Sequence, residues 1–318
     1  MKLIIQIPCF NEAESLPVTL GELPRSVEGF DKVEWLIIDD GCSDNTVNVA
    51  REHGVDHVIS LMKNQGLARA FMAGLDACVR LDADVIVNTD ADNQYHAGDI
   101  PLLVKPILER RADMVIGARP IMEMEHFSLL KKILQRIGSS FVKWASSADI
   151  PDAPSGFRAI SREAAMRLNV FNDYTYTIET IIQAGQKNMA VLSVPVRVNA
   201  DLRPSRLVKS IATYVKKSIV TIVRIFVVYR PFRFFMYLGL VSFTLGLLLA
   251  LRFLYIYFFT GRSSGHIQSL ILASILMGMG FQTMLVAFLA DLQSVNRRLM
   301  EDVQYRLRKG ESDKPTNE

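Results

Sequence analysis

The chain has 318 residues, half of them hydrophobic, with a formal net charge of +3 and a positive mean hydropathy. It is too long for one small domain and too apolar for an ordinary soluble one. Its three cysteines, Cys9, Cys42 and Cys78, have no metal spacing, so a disulfide framework and a cysteine-based zinc site are excluded and reduced thiols are expected.

In chain order, short apolar runs alternate with helical patterns. Leu3-Ile4-Ile5-Gln6-Ile7 is too short for a cleavable signal and reads as a strand over 3–8. Helix 13–23, strand 34–38, helix 45–53, strand 57–61, helix 66–80, strand 84–88, helix 100–110 and strand 114–116 follow. Such alternation predicts an α/β fold with a mostly parallel sheet covered on both faces. In open sheets of this kind ligands bind beyond the carboxyl ends of the strands.

Polar clusters recur at those ends: Pro8-Cys9-Phe10-Asn11-Glu12, Asp39-Asp40-Gly41-Cys42-Ser43-Asp44, Lys63-Asn64-Gln65-Gly66 and Asp90-Ala91-Asp92-Asn93-Gln94. The last carries the sharpest chemistry. Two carboxylates spaced Asp-x-Asp at a strand end can converge on one hard cation that keeps its other positions for waters and substrate phosphates. The competing reading is a solvated turn, which these residue types also favour. Asp39 and Asp40 can accept hydrogen bonds from a base or ribose. Asp44 or Ser43 can cap the next helix. Gly66 opens a helix where backbone N–H groups face a phosphate, or is a plain turn glycine. No Gly-x-Gly-x-x-Gly or Gly-Lys-Ser/Thr fingerprint occurs, so neither a dinucleotide fold nor a P-loop is supported.

After Gly117-Ala118-Arg119 the pattern changes. Residues 126–147 read as an amphipathic helix whose apolar face suits a membrane interface, the sheet or a sister subunit, which leaves room for a homo-oligomer. Pro151-Asp152-Ala153-Pro154-Ser155-Gly156-Phe157-Arg158 reads as a rigid turn delivering a serine and an arginine. Arg158 is either a phosphate fork or a structural ion-pair partner. A polar loop over 171–179 leads into a helix capped near Thr177, and 189–196 is a further strand. From Arg197 to Arg233 nine basic residues face one acid, Asp201, as expected of a basic amphipathic segment on an anionic leaflet.

Residues 234–259 hold one charge, Arg252, and 267–290 hold none, so both qualify as membrane spans. Gly261, Ser263, Ser264 and Gly265 between them imply a hairpin. Basic residues crowd its outer flanks, which by the positive-inside rule puts both ends of the chain in the cytoplasm. A nucleic-acid role is not expected beside two spans. The tail from Lys309 to Glu318 reads as polar and unstructured.

The five motifs Pro8-Cys9-Phe10-Asn11-Glu12, Asp39-Asp40-Gly41, Asn64-Gln65-Gly66, Asp90-Ala91-Asp92 and Ser155-Gly156-Phe157-Arg158, followed by two spans, resemble the family-2 inverting glycosyltransferases that act on polyprenyl phosphates. The bactoprenol glucosyltransferases and dolichol-phosphate mannosyltransferases belong there. The resemblance implies a GT-A catalytic domain over residues 1–204 in the cytoplasm and amphipathic juxtamembrane helices over 205–231. It further implies a transmembrane hairpin within 232–291 and a cytoplasmic tail over 292–318, in the inner plasma membrane. It also implies a sugar nucleotide donor, Mg²⁺ or Mn²⁺, and undecaprenyl or another polyprenyl phosphate as acceptor.

Carried over by position, Pro8, Asn11, Glu12, Asp39, Asp40 and Gly66 hold the nucleotide, with Asp90, Ala91 and Asp92 at the diphosphate. Asp90, Asp92 and Gln94 hold the metal. Arg119, Ser155, Arg158, Arg203, Ser205 and Arg206 face the acceptor phosphate, and Asp152 assists there or forms the turn. The chain departs from the family pattern at Cys42, where serine is usual, and at Leu202-Arg203-Pro204-Ser205-Arg206, which lacks a glycine.

The reaction expected is in-line attack of a lipid phosphate oxygen on the anomeric carbon. The second pKa of a phosphate monoester is about 6, so the acceptor is already largely dianionic and needs no strong base. Two-span resemblance points to glucose from UDP-glucose. The alternatives are mannose from GDP-mannose and a catalytically inactive membrane scaffold. A processive polysaccharide synthase would carry more spans and a Gln-x-x-Arg-Trp motif, which is absent.

Overall fold

A computed structural model describes residues 1–120, 150–170, 176–200, 220, 223–224, 227–260 and 267–312. The chain divides into two compact units, Met1–Ser218 with Asp302–Glu318, and Ile219–Glu301. The expected helix over 126–147, the loop 171–175 and Arg203, Ser205 and Arg206 lie outside the described residues.

In the first unit the elements are β1 (Lys2–Cys9), α1 (Leu16–Glu22), β2 (Lys32–Asp39), α2 (Thr46–Glu52), β3 (His57–Ser60), α3 (Leu67–Arg80), β4 (Val85–Asn88), α4 (Ile100–Leu108), β5 (Met114–Ala118), β6 (Arg158–Ser161), α5 (Arg162–Arg167), α6 (Thr177–Gln186) and β7 (Val191–Pro195). The described strands form one sheet in the order β3-β2-β1-β4-β6-β5-β7. β6 runs antiparallel to both its neighbours and every other pairing is parallel.

Alternate residues of the central strands face two separate apolar layers. Leu3, Ile5 and Ile7 of β1 and Trp35 and Ile37 of β2 pack with α1 and α4 on one side. Ile4, Leu36, Ile38 and Ile86 pack with α3, α5 and α6 on the other. A sheet buried on both faces needs near-continuous apolar strands, which is why β1 and β2 are buried almost throughout.

Three features differ from the sequence expectation. Ser155 to Arg158 is not only a turn: Arg158 begins β6, whose four residues were too short to show a period of two. α6 begins at Thr177 with Tyr176, not Thr177, at its N-cap. The last helix runs on into the polar tail.

The second unit contains α7 (Pro231–Thr260) and most of α8 (Ile267–Ser312). Both are long and apolar enough to cross a membrane, and only 11% and 17% of their most apolar windows are buried, unlike core helices of a soluble domain. They pair antiparallel through small residues. A Cβ on Gly280 would stand 2.6 Å from the Phe243 nitrogen, and one on Gly246 would stand 2.8 Å from the Ala273 carbonyl oxygen. Ser242 Oγ donates to the Leu276 carbonyl at 3.0 Å. Close backbone approach of this kind is how apolar helices associate where water supplies no driving force.

α8 continues past its apolar run because i,i+4 pairs such as Arg306 with Asp302 sustain it. Its last turns belong to the first unit, where Tyr305 donates to Glu163 at 2.7 Å and Arg308 pairs with Asp76 at 3.0 Å.

Candidate active site

After β1 the chain moves outward to β2 and β3, then returns to place β4 on the other side of β1. The crevice beyond the carboxyl ends of β1 and β4 is therefore the topological switch point, where open α/β sheets bind ligands. Register aligns Cys9 with Asp39 and Gln6 with Asn88, so the polar clusters that follow these strands converge there.

On the β1–β2 side the loops lock one another. Asn11, in the left-handed region at φ 55°, accepts from the Ser43 N–H at 2.8 Å and donates its own N–H to Cys42 Sγ at 3.2 Å. Glu12 donates its N–H to Thr46 at 2.9 Å and accepts from Ser15 at 2.7 Å. Asp39 accepts from the Cys42 N–H at 2.7 Å. Asp40 accepts from the N–H groups of Gln65 (2.7 Å) and Gly66 (2.9 Å), so its carboxylate fixes the loop before α3. Gly41, at φ 71°, lets that loop close: a Cβ there would meet Lys63 and Asn64 backbone at 2.6 Å. Asp44 does not cap α2 as expected: the N-cap is Asn45, which makes no side-chain cap bond, and Asp44, just before it, instead accepts from the Thr46 N–H at 3.1 Å. Pro8 is buried in β1, paired with Ile38.

Asp90 and Asp92 stand just past β4, both partly buried. Ala91 between them is buried, and its carbonyl accepts from Thr19 at 2.9 Å. Asp92 accepts from the Gln94 N–H at 3.2 Å. No hydrogen-bond donor reaches the Asp90 carboxylate among the described residues. Burial, then the charge of Asp92, push the Asp90 carboxyl up to about 7. A divalent cation relieves both penalties at once, and oxygen-only ligands suit Mg²⁺ or Mn²⁺. The described residues bring no third His, Cys, Asp or Glu to the group. Two carboxylates fit a cation that takes its remaining ligands from a diphosphate and water.

Arg119 lies beside this pair. Its Nε donates to Asp152 Oδ2 at 2.7 Å, its Nη2 to Asp152 Oδ1 at 3.1 Å and its Nη1 to Gln94 Oε1 at 3.0 Å. Burial opposes the Arg119 charge, but Tyr95 and the Asp152 carboxylate outweigh it and hold the proton more tightly than usual. Asp152 is fully buried and committed to this fork, which leaves it an orienting group and not a base. Gln94 holds Arg119 with its amide oxygen and Asp92 with its N–H, so it links the guanidinium to the Asp92 carboxylate.

Ser155 and Arg158 are placed otherwise than the acceptor-facing role implied. Both are fully buried. Arg158 Nη1 donates to Thr180 Oγ1 (2.7 Å) and the Thr177 carbonyl (3.2 Å), its Nη2 donates to the Ser155 carbonyl, and its Nε has no partner. The reason is β6: antiparallel pairing with Asn88 on β4 and Ile116 on β5 carries Arg158 into the sheet interior. There its charge acts on Asp90 from within the protein.

Sequence reasoning missed several residues of the site. Tyr95 is buried, accepts the Gly156 N–H at 3.0 Å and has the Arg119 guanidinium 5.8 Å over its ring. Burial pushes its phenol up to about 12, so it stays a neutral hydroxyl. Asp99 pairs with Arg197 at 2.6 Å, and the Asn199 N–H donates to the Gln94 carbonyl at 2.9 Å. These bonds tie the start of the basic segment to the Asp92–Gln94 turn. Only the concentration of polar residues over 93–99 marked this stretch in the sequence.

Residues 4–168 match the family described as glycosyl transferase family 2. The chain belongs to that family. Among its relatives, an undecaprenyl-phosphate mannosyltransferase of Micrococcus luteus is 27% identical over 65% of this chain and 88% of its own. A UDP-N-acetylglucosamine–dolichyl-phosphate N-acetylglucosaminyltransferase of Methanococcus voltae is 27% identical over 60% of this chain and 83% of its own. Among solved structures, the glucosyl-3-phosphoglycerate synthase of Mycobacterium tuberculosis, determined with Mn²⁺, UDP and phosphoglyceric acid, superposes with a TM-score of 0.54 at 20% identity over 70% of this chain and 78% of its own. The catalytic fold is thus GT-A-like, and the family is one of glycosyltransferases.

Proposed function

We propose that this protein transfers a hexose, with inversion, from a nucleoside diphosphate to undecaprenyl phosphate or a similar polyprenyl phosphate at the cytoplasmic membrane face. The observation that carries the reading is the Asp90 carboxylate, which no donor reaches among the described residues, standing with Asp92 at the switch point beside a fixed Arg119. Two long apolar helices in the same chain support a lipid acceptor, as do the relatives' names.

When bound, the divalent cation neutralises the leaving diphosphate as a Lewis acid. Asp90 and Asp92 hold it, and Asn11, Glu12, Asp39, Asp40 and Gly66 shape the nucleotide side. Arg119, held by Asp152 and Gln94, supplies a preorganised positive charge to the phosphates. Arg203, Ser205 and Arg206, which lie outside the described residues, are assigned to the acceptor phosphate by motif position alone. In the transfer a dianionic phosphate oxygen forms a bond to the anomeric carbon while the bond to the nucleoside diphosphate breaks. No proton has to be removed, which agrees with Asp152 being paired with Arg119.

UDP-glucose is the first donor to test, and GDP-mannose the second because a relative over 65% of the chain is named a mannosyltransferase. Purified protein, labelled donors and undecaprenyl phosphate, with Mg²⁺, Mn²⁺ or chelator, decide it. Metal-dependent labelling of the lipid from one donor is expected. Nucleotide binding without lipid labelling from any donor would overturn the assignment in favour of a scaffold.

A further inference from the structure

Two residues before Asp90, β4 ends in Asn88, whose carboxamide is fully buried and fully used. Its Oδ1 accepts from Gln6 Nε2 at 2.9 Å, and its Nδ2 donates to the Gly156 carbonyl and to the Tyr176 hydroxyl, each at 2.9 Å. Gln6, Asn88 and Tyr176 are all 0% exposed. The interior makes room for them deliberately: a Cβ on Gly74 would stand 2.5 Å from Gln6 Oε1. Apolar side chains would fill this layer at lower desolvation cost, so the polar chain calls for a reason beyond packing.

Gly156 is where it converges. Its N–H donates to Tyr95 and its carbonyl accepts from Asn88, so the residue is pinned at both ends. A Cβ there would lie 2.8 and 2.9 Å from the two Asp90 oxygens and 3.1 Å from the Tyr176 hydroxyl oxygen. The bare backbone of Gly156 and the Tyr176 hydroxyl therefore wall the Asp90 carboxylate on that side. The Tyr176 ring packs on Phe71, with centroids 3.8 Å apart at 8°, and the Arg158 guanidinium lies 5.2 Å from it.

We propose that Tyr176 is a positioning residue for Asp90: its hydroxyl fixes the Asn88 carboxamide that holds the Gly156 carbonyl, and Gly156 so held sets where the Asp90 oxygens stand for the divalent cation. The inference rests on the reading of Asp90 and Asp92 as the cation site. It assigns the hydroxyl a role that the ring does not share. Phe71 by contrast contributes packing alone.

The test measures Mn²⁺ binding by the loss of the free-ion electron paramagnetic resonance signal, with UDP and in parallel GDP present, and no turnover. Tyr176→Phe keeps the stack and is expected to bind Mn²⁺ roughly tenfold to a hundredfold more weakly, the cost usual for groups that orient metal-binding carboxylates. Phe71→Leu is expected to lower the melting temperature while keeping wild-type Mn²⁺ affinity. Asp90→Ala separates the two levels: unchanged Mn²⁺ binding there overturns the cation site itself. If Asp90→Ala loses Mn²⁺ but Tyr176→Phe binds it as tightly as wild type, or Phe71→Leu weakens it equally, the positioning role is wrong. Should Tyr176→Phe not fold, Tyr95→Phe frees the other end of the same residue and carries the same expectation and the same refutation.

Discussion

Replacing Asp92 by alanine removes one of the two carboxylates whose mutual repulsion helps to raise Asp90. Losing several kcal/mol of charge stabilisation on the leaving group should cut transfer by about a thousandfold or more, with membrane insertion unchanged. A fully active variant in the lipid-labelling assay would remove Asp92 from the site. The same pair predicts a pH dependence. Asp90 binds its proton more tightly folded than at the ordinary value of 3.8, being raised to about 7, so metal-free stability falls as pH rises through that window. Glu34 works the other way. Burial alone would raise it, but Lys2, Lys32 and His57 hold it down to about 2 from 4.5, so its contribution is present above 4.5 and lost as pH falls toward 2. Melting temperature against pH should flatten between about 4 and 7 in Asp90→Asn and between about 2 and 4.5 in Glu34→Gln. Unchanged slopes would refute both. At this scale the sequence marked Asp90 and Asp92 as either cation ligands or a solvated turn, because both uses favour such residues at a strand end. It left Arg158 open between a phosphate fork and a structural partner, since a one-dimensional motif does not say which face of a four-residue strand an arginine occupies.

Among the elements, α7 and α8 depend on glycines that let backbones touch. Gly280→Val would drive a branched side chain into Phe243, whose nitrogen stands 2.6 Å from even a Cβ. Overpacking of this kind costs about 1–3 kcal/mol. A lower melting temperature of the detergent-solubilised protein is expected, while a variant as stable as wild type would mean the helices are not held by this contact. The helices and long strands were legible because their apolar runs are long. β6 and α5 were not, because four and six residues carry too little periodicity to register.

For the whole molecule, the end of α8 is part of the catalytic unit. Arg308 donates to the Leu168 carbonyl at 2.9 Å and the Met166 carbonyl at 3.2 Å besides pairing with Asp76, and the Arg167 guanidinium lies 5.0 Å over the Tyr305 ring. Arg308→Ala should cost about 1–2 kcal/mol after allowance for partial exposure. Differential scanning calorimetry should show the catalytic unit melting lower, and an unchanged transition would mean the tail is dispensable to it. By itself the sequence determined the α/β alternation, the two apolar helices and the acidic crevice, because hydrophobic period and local turn chemistry are written along the chain. Only the tertiary structure decided that Asp152 is spent on Arg119, that Arg158 lies inside the sheet, and that Gln6, Asn88 and Tyr176 meet at Gly156. Those partners are tens of residues apart, and strand order and register, which no local pattern encodes, are what bring them within hydrogen-bond reach.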